Sequence, residues 1–538
     1  MKRFISFLSF LLLISLSGIS ARNYYVATNG NDTTGTGAIS APYATIMKAQ
    51  QYVVAGDTVF VRGGTYKMTE AQIYKEESIW AYIHYLDKSG TSATSRICYF
   101  AYPGEQPVFD LSNVKPSGYR NTIFYTKGSW LHIKGLEVIG VQVTITTHTQ
   151  SECFRNEGSN NIFEQLKMHD GMGIGFYLTK GANNLILNCD AYRNYDSVSE
   201  SGAGGNTDGF GLHPAKGGTG NVIRGCRAWF NSDDGYDCIN SAESVTFDNC
   251  WAFYNGYDAS FVKHGDGNGF KAGGYGQAPA ISSLPSPIPS NTIKNCLAYR
   301  NKANGFYANH HVVTGSKWYN NTAYRNSTNY NMLSQRLTKS PTTGADTTID
   351  CPGINHILHN NISFKYSTLK DTVNLGTSVN TFNTFSPGIA VVVDANDFVS
   401  LDESLLIAPR QADGSLPNNG FLRLKTGSDL IDKGTNVGYP FVGIAPDLGA
   451  FEYQSTNTAV SEVQKEKKVA FYPNPAQTAI NFGNNSFRHL SIYDLSGKRL
   501  VDTPYMPSVD VSSLNKGCYL VKIEREEGSS LIEKMIKE

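Results

Sequence analysis

The chain has 538 residues, far more than one small core needs. Lys plus Arg and Asp plus Glu both total 46, and this zero balance lacks the basic surplus of a nucleic-acid binder, so no nucleic-acid partner is expected. Charged residues are only 17% while Gly (52), Tyr (31) and Phe (27) are frequent, which suits a β-rich secreted protein with many tight turns.

Met1-Lys2-Arg3 precedes an apolar run from Phe4 to about Leu16 and a stretch of small residues ending near Ala21. That order predicts a secretory signal peptide over 1–21. The run is too short to span a bilayer comfortably, and no other long apolar run follows, so no transmembrane segment is expected. No Cys stands at the cleavage region, which argues against a lipid anchor.

Tyr24-Tyr25-Val26-Ala27 predicts a first strand, and a helical stretch near Thr45–Val53 would cap the open end of whatever follows. The middle of the chain repeats. Leu185-Ile186-Leu187-Asn188-Cys189-Asp190-Ala191-Tyr192-Arg193-Asn194 returns in the units around Cys226, Cys250, Cys296 and Ala323, with weaker copies centred on Leu136, Leu166 and Ile362. Each unit alternates apolar and polar residues and carries Asn or Gly at a bend. The shortest spacings, roughly 23 to 26 residues, suit one coil of a parallel β-helix, whereas a propeller blade needs about 40 or more. Cys189, Cys226, Cys250 and Cys296 fall on one column, which we extend to Thr322. They are expected as a ladder of small buried thiols, with a disulfide between coils left open; nine Cys in all leave at least one unpaired.

Ile444-Ala445-Pro446-Asp447-Leu448-Gly449-Ala450-Phe451-Glu452 resembles the last coil of secreted β-helix domains, which places that domain at 22–455. A polar stretch over 456–468 reads as a linker. Residues 469–538 alternate short strands with Ser-Gly turns and predict a small β-sandwich. This tail resembles the C-terminal sorting domain of type IX secretion substrates. The resemblance implies secretion machinery as a partner and a secreted or cell-surface location.

Four coils share a second pattern: Asp208-Gly209-Phe210-Gly211, Asp234-Gly235-Tyr236-Asp237, Asn268-Gly269-Phe270-Lys271 and Asn304-Gly305-Phe306-Tyr307. The aromatics are expected to stack in the core. The flanking positions then form two outer columns, Asp208, Asp234, Asn268, Asn304 and Gly211, Asp237, Lys271, Tyr307. Simple alternation puts the two columns on opposite faces; a bend at the Gly would bring them together. Asp and Asn also serve ordinary turns. Four clustered carboxylates, Asp208, Asp233, Asp234 and Asp237, repel one another unless a cation sits among them, and an all-oxygen donor set suits Ca²⁺.

Asn206-Thr207-Asp208-Gly209-Phe210-Gly211, Ser232-Asp233-Asp234-Gly235-Tyr236-Asp237 and, above all, Gly265-Asp266-Gly267-Asn268-Gly269-Phe270-Lys271 resemble family 9 polysaccharide lyases. The resemblance spans about 22 to 455. It implies an all-β, right-handed parallel β-helix, with Asp208, Asp233, Asp234 and Asp237 as calcium ligands and Lys271 as the Brønsted base. At Tyr307 and Ala308 the chain departs from the family's usual Asp and Gln. The implied substrate is an acidic, galacturonate-containing polysaccharide, homogalacturonan or rhamnogalacturonan I, cleaved by β-elimination to a 4,5-unsaturated uronide. Lys263, His264, His310 and Arg336 lie in or after these coils and are candidates for holding substrate carboxylates. A monomer is expected. Two other functions stay open. A polygalacturonase-type hydrolase would explain Asn206-Thr207-Asp208 and Asp233-Asp234, but its Gly-His-Gly is replaced by Lys263-His264-Gly265 and its Arg-Ile-Lys is absent. A non-catalytic glycan-binding β-helix would use the same carboxylates and tyrosines for binding.

Overall fold

Each repeat unit consists of two short strands and a bend, as in Leu185–Leu187 and Asp190–Tyr192. The bend is left-handed at Asn188, Gly225, Asn249, Asn295, Asn320 and Asn360, with φ between 52° and 64°. Asn and Gly recur there because they enter this region at the least cost. The structure is a computed structural model that describes residues 21–454, 471–482, 487–494, 498–524 and 530–538; the expected linker and all but the last residue of the expected signal peptide lie outside them. The chain divides into two units, Met1–Gln454 and Ser455–Glu538.

In the first unit three long sheets wind around one axis as a parallel β-helix. The first sheet has 12 strands, from Asn23–Val26 to Val379–Thr381, and the second has 10, from Gly64–Lys67 to Ile362–Phe364. The third has 11 and ends at Lys370–Val373. It opens with an antiparallel pair, Lys75–Glu77 against Trp80–Leu86. A short helix, Ile46–Gln50, N-capped by Thr45, buries Ile46 and Ala49 against the first coil, as expected. Among the described residues no helix is long and apolar enough to cross a membrane.

Stacking in register builds the interior. Phe210, Tyr236, Phe270, Phe306 and Tyr330 lie parallel along the third sheet with centroids 4.7–5.1 Å apart. All nine cysteines are free thiols, and Cys189, Cys226, Cys250 and Cys296 are fully buried. The next residue of this column is Asn321, not Thr322: Thr322 pairs with Leu297, and Asn321 Oδ1 accepts a hydrogen bond from Cys296 N. The alanines fix that register, since Ala298 pairs with Ala323.

A second bend is left-handed at Arg193, Phe230, Tyr254, Arg300 and Arg325, residues that enter this region only at a cost. The asparagine that follows each one holds it there. Asn194, Asn231, Asn255, Asn301 and Asn326 are buried, and each Nδ2 of the first four donates to the Oδ1 of the next at 2.9–3.1 Å. Each also donates inward to a carbonyl, such as Asn255 to Ala228 O at 3.0 Å.

The segment around Ile444–Glu452 is not a last coil. It contains no strand and lies against the outer face of the second sheet, where Leu448 and Phe451 bury beside Trp251 and Phe253. The stacked outer aromatics Tyr192, Trp229 and Phe253 are too apolar to face water, and residues 398–451 supply their cover. Arg410 anchors this cover through Asp190, which it shares with Arg227. The second unit has a four-stranded antiparallel sheet and the pair Ala479–Asn481 with Ser508–Asp510, enclosing a core that includes Ile480, Leu490, Val509 and Val521.

The asparagine column sets a testable cost. Asn255→Ala removes the acceptor of Asn231 N and Nδ2 and the donor to Ala228 O and Asn301 Oδ1, and should destabilise by about 3 kcal/mol. A Cβ on Gly235 would lie 2.8 Å from both Asn255 Nδ2 and Gly269 O, so Gly235→Ala should cost about 1–3 kcal/mol. Denaturant midpoints equal to wild type for both variants would contradict this packing.

Candidate active site

The third sheet carries the site. Strand Phe210–Leu212 pairs with Tyr236–Asp237, then Phe270–Lys271, then Asn304–Tyr307, so Gly211, Asp237, Lys271 and Tyr307 align on successive coils. The other expected column is also present. Asp234 N donates to Asp208 Oδ1 at 3.1 Å, Asn268 N to Asp234 Oδ1 at 2.6 Å, and Asn304 N to Asn268 Oδ1 at 3.2 Å.

The two columns face the same side. Lys271 Nζ lies 3.1 Å from Asp234 Oδ2 and 3.3 Å from Asp237 Oδ2, although these aspartates are three residues apart. The intervening glycine makes this possible. Gly209, Gly235, Gly269 and Gly305 approach the asparagine column so closely that a Cβ on any of them would lie 2.6–2.9 Å from an asparagine Nδ2 or a backbone carbonyl. The chain therefore bends toward the core at this position, and the residues before and after the bend emerge together.

Each aspartate is held through one oxygen. Asp233 Oδ1 accepts from Asp266 N at 2.7 Å and Asp237 Oδ1 from Ile239 N at 2.7 Å; Asp208 and Asp234 use the column bonds above. Asp234 Oδ2 is buried without a hydrogen bond. The carboxylates form two groups that share Asp234: Asp208, Asp234 and Asp237, and Asp233, Asp234 and Asp266, with ligand atoms within 4.8 Å of one another in each. Asp266 was not singled out from the sequence. Its side chain is 70% exposed and its Oδ2 lies 3.8 Å from Lys271 Nζ. Its place in the Gly265–Lys271 motif was the available signal.

Burial, then neighbouring carboxylates, raises Asp208 and Asp233 well above the usual range. Burial also raises Asp234, against the pull of Lys271. For Lys271 burial opposes the ammonium, but Asp234, Asp237, Asp233 and Asp208 outweigh it and hold the lysine protonated far above its ordinary value. Four buried carboxylates thus face one cation. This surplus of negative charge and the all-oxygen donor set fit a hard divalent ion.

Two half-buried tyrosines flank the cluster. Tyr307 stands one coil beyond Lys271, its phenol pushed up to about 12 by burial. The Tyr177 ring lies over Gly211, where a Cβ would meet Tyr177 Cδ2 at 2.5 Å. His213 is half-buried beside this ring, and desolvation lowers its pKa.

The four expected substrate contacts are placed as follows. His264 packs on Tyr195 and lies 3.3 Å from Asp258, while its carbonyl and that of Gly265 accept from Lys302. His310 pairs with Asp350 at 2.7 Å and approaches the Tyr307 ring at 6.1 Å. Lys263 is exposed next to His264, and Arg336 is exposed on the hairpin strand Ser334–Lys339.

Residues 24–361 match the family described as Pel9A-like, right handed beta helix region, and residues 470–538 match the secretion system C-terminal sorting domain. The chain is 35% identical to pectate lyase L of Dickeya chrysanthemi over 81% of its own length and 92% of the relative's. It is 31% identical to pectate lyase L of Paenibacillus polymyxa over 78% and 85%. Among solved structures, a rhamnogalacturonan lyase superposes with a TM-score of 0.70 at 44% identity, covering 76% of this chain and 97% of that one. Pectate lyase Pel9A gives 0.62 at 32%, covering 81% and 98%. The sorting domain marks a secreted or cell-surface protein. The chain belongs to the Pel9A-like right-handed β-helix family of polysaccharide lyases.

Proposed function

We propose that the chain is a calcium-dependent lyase that cleaves galacturonate-containing pectic polymers, homogalacturonan or rhamnogalacturonan I, by β-elimination. The observation that carries this reading is Lys271 Nζ standing 3.1 and 3.3 Å from two of four buried carboxylates. Lys271 takes the C5 proton of a galacturonate. The electron pair left on C5 forms the C4–C5 double bond, the C4–O bond breaks, and the departing sugar oxygen takes a proton from solvent. A calcium ion held by Asp208, Asp233, Asp234 and Asp237 would supply positive charge beside the substrate carboxylate, where deprotonation builds negative charge. These carboxylates are what keep Lys271 an ammonium, so neutralising them frees it to act as a base. Lys263, His264, His310 and Arg336 are our candidates for holding uronates along the polymer, and we assign a monomer.

Hydrolysis is the weaker reading. Its paired carboxylates stand about 5–9.5 Å apart around the scissile bond. Here Lys271 sits among the carboxylates, 3.1 Å from Asp234 and 3.3 Å from Asp237, and such an acid–base pair gives it no task.

Incubation with pectic polymers should raise the ultraviolet absorbance of unsaturated uronides, and a chelator should abolish the rise. New reducing ends without absorbance would establish the hydrolase instead, and no change at all would favour a glycan-binding protein. Lys271→Ala should lower kcat by at least about 10³-fold, within the range of a lost general base. A folded, fully active Lys271→Ala variant would remove the base assignment.

A further inference from the structure

Along the outer face of the third sheet the order is Tyr177, Gly211, Asp237, Lys271, Tyr307, Asn331, one residue per coil. Coils repeat at about 4.8 Å, close to the length of one pyranose, so a sugar chain lying along the axis advances about one sugar per coil. Asp237 and Lys271 occupy two adjacent coils, with Asp208 beside Gly211 on the coil before them. On one side the Tyr177 ring covers Gly211, a position that a side chain would fill. On the other stands the half-buried ring of Tyr307, followed by Asn331, whose amide donates to Asn304. Lys302 is taken up by the His264 and Gly265 carbonyls, and the His264 and His310 rings face Asp258 and Asp350.

A polymer of uronates alone places a carboxylate on every sugar and would set unpaired charges against both phenol rings. Desolvating them there without a partner is costly. In a backbone that alternates galacturonate with a 6-deoxyhexose, both neighbours of the reacting galacturonate are neutral and carry an apolar C–H face and a methyl group. Such a face stacks on an aromatic ring. Because both neighbours are alike, the match holds whichever way the chain lies in the groove.

We propose that Tyr307 and Tyr177 are specificity-determining residues, forming two aromatic subsites that bracket the Asp237–Lys271 centre and select the alternating backbone of rhamnogalacturonan I over homogalacturonan. This inference rests on the lyase reading above. Tyr307 acts through its ring, which stacks on a deoxyhexose that flanks the reacting galacturonate. Tyr177 does the same over Gly211.

The test measures formation of unsaturated product by the full chain with calcium, on rhamnogalacturonan I backbone oligosaccharides and on polygalacturonate. Wild type should show kcat/KM at least about tenfold higher on the alternating substrate, a tenfold ratio being worth about 1.4 kcal/mol. Tyr307→Ala should collapse that ratio, chiefly by raising KM on the alternating substrate. Tyr307→Phe should keep it, since the ring remains. Polygalacturonate as the better wild-type substrate overturns the proposal while leaving the lyase reading intact. So does a Tyr307→Ala variant that loses both activities equally, or a Tyr307→Phe variant that loses the preference. No unsaturated product from either polymer overturns the lyase reading and this inference with it.

Discussion

The close approach of Gly209, Gly235, Gly269 and Gly305 to the column of buried asparagines is where the site begins. Without room for a Cβ, the chain turns inward at each glycine, and residues three apart emerge on one side. The asparagines bind each other from coil to coil and satisfy inner carbonyls at the same time. A network of this kind holds position firmly because every member is satisfied. It also explains why Arg193, Phe230, Tyr254, Arg300 and Arg325 remain in a backbone region they normally avoid. The scaffold thus fixes side chains on successive coils one strand spacing apart, without relying on long loops.

On that scaffold the chemistry is a matter of charge. Asp208, Asp233, Asp234 and Asp237 are all buried, each is tied down through one oxygen, and Lys271 is the basic side chain among them. Such a cluster works against its own stability: burial and mutual repulsion push Asp208 and Asp233 toward the neutral acid, and the field locks Lys271 in the form that cannot take a proton. An added divalent charge relieves both conditions. Strain of this sort at a functional site is offset by the rest of the fold, here by the stacked aromatics and the asparagine ladder.

Much of this was legible in the sequence because a β-helix repeats. The Asn and Gly bends, the Cys column and the aromatic stack appear as recurring letters, and each recurrence marks a physical demand of the coil. The register of the two outer columns followed from the same alignment. What the letters did not carry was three-dimensional. Alternation alone could not decide whether Asp234 and Asp237 share a face, since the answer lies in how closely Gly235 approaches Asn255. The Cys column was extended to Thr322, one residue too far, because the neighbouring Asn320 and Asn321 blur the boundary of that unit; the Ala298–Ala323 pairing fixes it. The stretch around Ile444–Glu452 looked like a final coil, but its apolar residues serve as a cover for Trp251 and Phe253 on an outer face. Asp266 went unremarked because an exposed acid between two glycines reads as a turn.

The central claim is that the aspartate cluster is an excess of buried negative charge awaiting a divalent cation. Unfolding of wild type and Asp208→Asn, each in chelator and in calcium, tests it most directly. Asn keeps the oxygen that accepts from Asp234 N but removes one charge. Wild type should gain stability in calcium, about 2.7 kcal/mol at a hundredfold excess over Kd. Asp208→Asn should be the more stable protein in chelator and should gain much less from calcium. Equal stability of wild type in calcium and in chelator, or an equal calcium gain in both proteins, would contradict the account.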